Sequence, residues 1–126
     1  VDKVALREEV FSNEKKRETL NALAHPEIRR KIEEITGDAV IEVPLLFESG
    51  MTDLFDRVIV VTAGEDARIN RIVSTRNISK DLAKNIIKNQ TTDDERIKRA
   101  DYVAINDGTR KDLYEQAKNI IKRIFE

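Results

Sequence analysis

Apolar positions recur at two periods along this chain, near four in some stretches and continuous or near two in others, and the switches between them lay out its elements. Val4, Ala5, Val10 and Phe11 roughly share one face of a first helix that Asp2 can cap. Ser12 or Asn13 can cap a second helix from about Glu14 to Ala24, with Leu20 and Leu23 as its stripe. His25-Pro26 then breaks and restarts the helix, because proline suits a first helical position, and Ile28, Ile32 and Ile35 carry a third helix to Gly37. Ala39-Val40-Ile41-Glu42-Val43 reads as a strand buried on both faces, and Pro44 stops its ladder. The segment fits equally well an edge strand with Glu42 turned to solvent.

Beyond a loop with Gly50 and a short turn over Thr52 to Phe55, Arg57-Val58-Ile59-Val60-Val61-Thr62 predicts a second buried-type strand. Glu65 to Arg76 predicts a helix. Ser79 caps the next one, with Leu82, Ala83, Ile86 and Ile87 on its apolar face, and Thr92 with Glu95 predicts a capping box for a short helix to Ala100. Tyr102-Val103-Ala104-Ile105 predicts the third strand and Asn106-Asp107-Gly108 a turn. Thr109 then caps a last helix buried through Leu113, Ala117, Ile120, Ile121 and Ile124. The order is ααα-β-β-α-α-α-β-α. The long helical connection between the second and third strands predicts that they run parallel, joined by a right-handed crossover. Three strands make a narrow sheet for such an α/β fold, so the pattern predicts a missing neighbour upstream.

At 126 residues the chain suits one ordinary domain. Charged residues are 37% and hydrophobic ones 40%, a balance that excludes disorder and describes a soluble, helix-rich globule. Lys and Arg number 23 against 24 Asp and Glu, so the net charge of -1 supplies no general field for nucleic acid or anionic membranes. Any anion site must therefore be local. With no cysteine, disulfides, thiolate metal sites and thiol nucleophiles are excluded together, which suits a reducing cytosol. No apolar run approaches the roughly 18 residues of a membrane span, and Val1 to Glu9 is too charged for a secretory leader, so a cytoplasmic location is expected.

Candidate chemistry gathers at two places. Glu42 is a carboxylate inside an apolar strand, where an unpaired charge costs several kcal/mol or more, so it must hydrogen-bond, meet a cation or sit near the strand's open end. Leu45, Leu46, Phe47 and Glu48 emerge at the carboxyl end of that strand, where open parallel sheets bind ligands. Between Ala67 and Arg99 lie Arg68, Arg71, Arg76, Lys80, Lys84, Lys88, Arg96, Lys98 and Arg99. Phosphate is the natural ligand of such a cluster. The alternative is a set of solvated helix faces paired with Glu65, Asp66, Asp81, Asp93, Asp94 and Glu95. His25, the lone histidine, reads as a structural punctuator beside proline. Asn106-Asp107-Gly108 is a turn whose place at a strand's carboxyl end also allows contact with a base or ribose. No G-x-x-x-x-G-K-[ST] loop and no His or Cys metal spacing occurs in the sequence.

Taken in order, Leu6 with Val10-Phe11-Ser12, Arg17 through Leu20-Asn21, His25-Pro26-Glu27-Ile28, Pro44 to Glu48, Arg71 with Arg76, Gln90, Ala100-Asp101 and Asn106-Asp107-Gly108 resemble the dephospho-coenzyme A kinases nearly end to end. The resemblance implies a P-loop kinase-like parallel sheet with a helical acceptor-binding insertion and a helical lid. It implies transfer of the γ-phosphoryl group of ATP to the ribose 3′-hydroxyl of dephospho-coenzyme A, with magnesium bridging phosphates. By that likeness, residues 1–37 are the acceptor-binding region, 38–63 with 101–126 the α/β core, and 64–100 the lid. His25, Leu45, Leu46, Phe47 and Glu48 would meet the acceptor, Arg71 and Arg76 the transferring phosphates, and Gln90, Asn106 and Gly108 the nucleotide. Glu42 would reach magnesium through water. Relatives begin with a strand, a P-loop and an Asp thought to act as base, none of which these residues contain. The chain is therefore expected to be the carboxyl-side two thirds of such an enzyme and inactive by itself. The readings left beside it are a stand-alone nucleotide- or coenzyme-binding module and another small-molecule P-loop kinase; oligomeric state is open.

Overall fold

The structure, a computed structural model, describes residues 2–126, and of Phe11 the backbone only. The expected place of the Phe11 side chain on the first apolar face lies outside the described residues. The chain divides into two compact units, Val1–Pro44 and Leu45–Glu126.

In the first unit, α1 (Lys3–Phe11) is capped by Asp2, whose carboxylate accepts from the backbone N–H of Val4 and Ala5. Leu6, Val10 and Leu20 line one shallow groove, in which Val10 and Leu20 are half-buried and Leu6 is exposed, while Val4 and Ala5 face solvent. Helix α2 (Glu14–Glu33) begins at Asn13, whose side chain accepts from Lys16 N–H. It runs unbroken through Pro26. The expected restart at His25-Pro26 is thus corrected: Ala22 and Ala24 before the proline are strong helix formers, and after it Arg30 pairs with both Glu27 and Glu34, so propensity and side-chain pairing carry the helix across the lost donor. The third expected helix is the second half of α2. Of its predicted stripe, Ile32 is half-buried and Ile28 and Ile35 are exposed.

The expected strand over 39–43 is also corrected. These residues form no ladder, Val40 is 78% exposed and Glu42 is exposed. A strand needs a partner for its backbone groups, and apolar sequence alone does not supply one.

The second unit opens with the turns of residues 45–50, in which Leu45 takes a left-handed conformation at φ 56° and Gly50 one at 67°. A 3-10 turn, Thr52–Leu54, follows the buried Met51. Strand β1 (Ile59–Thr62) pairs in parallel with β2 (Tyr102–Ile105), Val60 opposite Val103 and Thr62 opposite Ile105, so the expected parallel pairing stands on two strands instead of three. Neither strand is covered on both faces: Val60 and Ala104 are buried, whereas Val61 and Ile105 are more than half exposed. Between the strands lie α3 (Glu65–Arg76), α4 (Lys80–Lys88) and α5 (Asp93–Arg99), and α6 (Arg110–Ile124) closes the chain. Ser79 and Thr92 cap α4 and α5. At α5 the box is half formed, since Thr92 receives the Glu95 N–H but the Glu95 carboxylate turns to Lys98. The complete box is at α6, between Thr109 and Asp112. Ile69 of α3, Ala83 of α4 and Ile120 of α6 complete the core, while the expected Leu82, Ala117 and Ile121 face outward.

Candidate functional site

The carboxyl ends of both strands open into one cleft of about 200 Å³, lined by Val61, Thr62, Ala63, Arg68, Arg71, Arg96 and Asn106. Its rim is tied by two backbone devices. Asn106 N–H donates to Thr62 O at 2.7 Å, extending the ladder one step, and Gly64 N–H donates to the Asp107 carboxylate at 2.7 Å, which pins the β2 turn to the start of α3. Gly108 sits where a Cβ would come within 2.7 Å of an Asp112 carboxylate oxygen held by the Thr109 cap, so a side chain there would disturb the cap.

Three guanidiniums converge on this cleft from two helices. Arg71 Nη2 donates to the Asn106 carbonyl at 2.8 Å, which joins two of the sequence-predicted residues. Arg68 donates to Asp93 at 3.0 Å and to the Gln90 side chain at 3.3 Å, which brings Gln90 to the same place. Arg96 pairs with the same Asp93, whose other oxygen receives the Thr62 hydroxyl at 2.7 Å. The side chains of Arg68, Arg96 and Asp93 are 19% to 29% exposed, so the solvated-face alternative does not describe these three, whereas Arg71 is exposed at the rim. Partial burial pushes the Asp93 carboxyl up, but the Thr62 hydroxyl, the Arg96 hydrogen bond and the charges of Arg68 and Arg96 outweigh it and hold Asp93 below the usual range. One carboxylate against three guanidiniums leaves the cleft positive. Arg96 Nε is buried without a hydrogen-bond partner, a donor left open beside that positive charge.

The remaining candidates lie elsewhere. Arg76 is exposed at the end of α3, before Asn77 in the left-handed conformation that ends the helix. Leu45 is 55% exposed, whereas the Phe47 ring carries the Arg99 guanidinium 4.5 Å from its centre. Glu48 accepts the Thr91 N–H at 3.0 Å. Burial raises its pKa, but hydrogen bonds from Thr91 and from its own backbone, with the Arg96 charge, bring it below the ordinary value. His25 and Glu42 belong to the first unit, the former half-buried in α2. The premise that burial forces a partner on Glu42 falls with the strand. Among the described residues no group of three acidic or histidine side chains is placed to hold a metal ion, and the carboxylate beside the cleft, Asp93, is already engaged. Thr62 and the hub role of Asp93 escaped sequence reading.

The dephospho-CoA kinase family model matches residues 1–112. Over 98% of the chain, the sequence is 37% identical to a dephospho-CoA kinase of Fusobacterium nucleatum, and over 96% it is 38% identical to one of Bacillus licheniformis, covering 67% and 64% of those proteins. The chain thus spans about two thirds of the length of such relatives. Among solved structures, TT1252 from Thermus thermophilus superposes with a TM-score of 0.81 at 29% identity, over 99% of this chain and 68% of that one. A dephospho-CoA kinase from Campylobacter jejuni follows at 0.68 and 28%, over 98% and 65%. No helix among the described residues is long and apolar enough to cross a membrane. With identity above 30% over nearly all of its residues, the chain belongs to the dephospho-CoA kinase family.

Proposed function

We propose that these residues form the acceptor and nucleotide-phosphate sides of an enzyme that moves the γ-phosphoryl group of ATP to the ribose 3′-hydroxyl of dephospho-coenzyme A. The observation that carries this reading is the cleft itself: two partly buried guanidiniums, Arg68 and Arg96, an exposed one, Arg71, and an unpartnered N–H at the carboxyl ends of two parallel strands. Such a constellation suits phosphate oxygens, whose charge in a dissociative transfer spreads over several acceptors. Arg71, fixed by Asn106, would face those oxygens directly. Arg76, exposed at the end of α3, would approach with movement of the lid, residues 64–100. Asn106, Gly108 and Gln90 would border the nucleotide. His25 and residues 1–37, with the wall Leu45-Leu46-Phe47-Glu48, would take the acceptor, and 38–63 with 101–126 would be the core that carries both.

Magnesium would arrive on the nucleotide. The described residues offer no cage for it, and a water-mediated role for Glu42 rests on family position alone, so no step is drawn through the ion. The 126 residues contain no G-x-x-x-x-G-K-[ST], and without those backbone donors and that lysine they are expected to bind but not to turn over. We place the protein in the cytoplasm, as the lack of cysteine suits. ATP consumption by the product of the complete reading frame that encodes these residues, measured with dephospho-coenzyme A and with adenylate, tests the proposal. Turnover with the first alone supports it; adenylate as the better acceptor, or a frame that starts at Val1, overturns the enzyme reading.

A further inference from the structure

The acceptor wall and the phosphate cleft meet at α5. This helix has seven residues, too few to hold itself, so what grips it decides where Asp93 and Arg96 stand. The loop of residues 45–50 grips it at both ends. Ahead of its first turn, Glu48 Oε1 accepts the Thr91 N–H at 3.0 Å, one residue before the Thr92 cap. At its last residue, Arg99 stacks over the Phe47 ring. The loop is itself rigidly built: Ser49 N–H donates to Leu45 O at 2.9 Å, the Ser49 hydroxyl to Leu46 O at 2.9 Å, and Met51 is 3% exposed beneath it. Holding Leu45 in a left-handed conformation costs about 1 kcal/mol, which the surrounding bonds must outweigh.

From these contacts we infer that Glu48 is a positioning residue for the phosphate cleft: it latches the α4–α5 junction to the loop, and through Asp93 it sets Arg68 and Arg96 beside Thr62. The path is continuous, from Glu48 to Thr91, along α5 to Asp93, and on to two guanidiniums and the end of β1. A residue of the acceptor wall therefore also governs the affinity of the cleft for phosphate, an inference that rests on the phosphate reading above. Replacing Glu48 by Gln keeps the shape and weakens a charge-assisted bond. Replacing Phe47 by Leu loosens the other end of α5.

Tripolyphosphate, which has no base or ribose and does not resemble the acceptor, is the probe for the 126-residue chain. Glu48→Gln is expected to weaken its binding about tenfold and Phe47→Leu about threefold. On an Arg96→Ala background, Glu48→Gln is expected to add less than about threefold, because one of the two guanidiniums that it positions is gone and only the path through Asp93 to Arg68 is left. Exchange of the Arg96 Nε–H, followed by nitrogen NMR without ligand, should quicken about tenfold in Glu48→Gln while the strand amides keep their protection. Unchanged exchange, or effects of Glu48 and Arg96 that multiply in full, overturns the positioning role. Quickened exchange in a chain that does not bind tripolyphosphate upholds the positioning role and overturns the phosphate reading.

Discussion

Asp93 stands between Arg68 and Arg96 with the Thr62 hydroxyl on its second oxygen, and each of those groups favours its ionised form. Because its folded pKa lies below the ordinary 3.8, its contribution to stability is complete above 3.8 and disappears as pH falls through the lower folded value. Asp93→Asn leaves two guanidiniums facing a neutral amide. It is expected to destabilise the second unit by about 2 kcal/mol at neutral pH and to flatten the acid limb of stability below about pH 4, both read from urea midpoints across a pH series. For the cations the scale of effect is different. In a polypeptide that includes these residues and turns over, Arg71→Ala and Arg76→Ala are expected to lower kcat/KM by about 100-fold or more with the melting temperature nearly unchanged, since groups that meet developing charge act on the barrier. Near-normal turnover in both variants would mean that these exposed arginines are solvated helix-face charges with no part in the transfer. None of this hub could be assembled from spacing: Thr62 and Arg68 lie 31 and 25 positions from Asp93, and only the parallel crossover brings them together.

At the scale of elements, what the chain announces locally it also builds. Asp2, Asn13, Ser79, Thr92 and Thr109 each cap a helix as their sequence implies, because a cap is a contract between neighbours two or three residues apart. Elements that depend on a distant partner were not legible in the same way. Residues 39–43 have the composition of a strand and no ladder, and Val61 and Ile105 look like core in the sequence yet face outward. Pro26 misleads in the opposite sense, marking a boundary that α2 ignores. A proline within a helix forfeits a hydrogen bond to the carbonyl four residues back. Pro26→Ala should thus stabilise α2 by about 1–3 kcal/mol, visible as a stronger 222 nm signal and a later helical transition. A weaker signal would mean that the proline serves the first unit in some way beyond its backbone.

For the whole molecule, the seven buried hydrophobic residues among those described, Met51, Val60, Ala63, Ile69, Ala83, Ala104 and Ile120, all fall in the second unit. Among the described residues, the first unit has only half-buried apolar side chains such as Val10 and Leu20, beside surface ion pairs that contribute little each. Amides of α2 are therefore expected to exchange through openings of low free energy, at least about 100-fold faster than those of β1 and β2. Equal protection in both units would refute that division.

The Gln116 amide of α6 both donates to Ile105 O and accepts from Ile105 N–H, each at 2.8 Å, doing at the far side of β2 what a third strand would do. Gln116→Ala would unplug that flank and leave both Ile105 backbone groups to water, so the Ile105 amide should trade its proton about tenfold faster while those of β1 keep their pace.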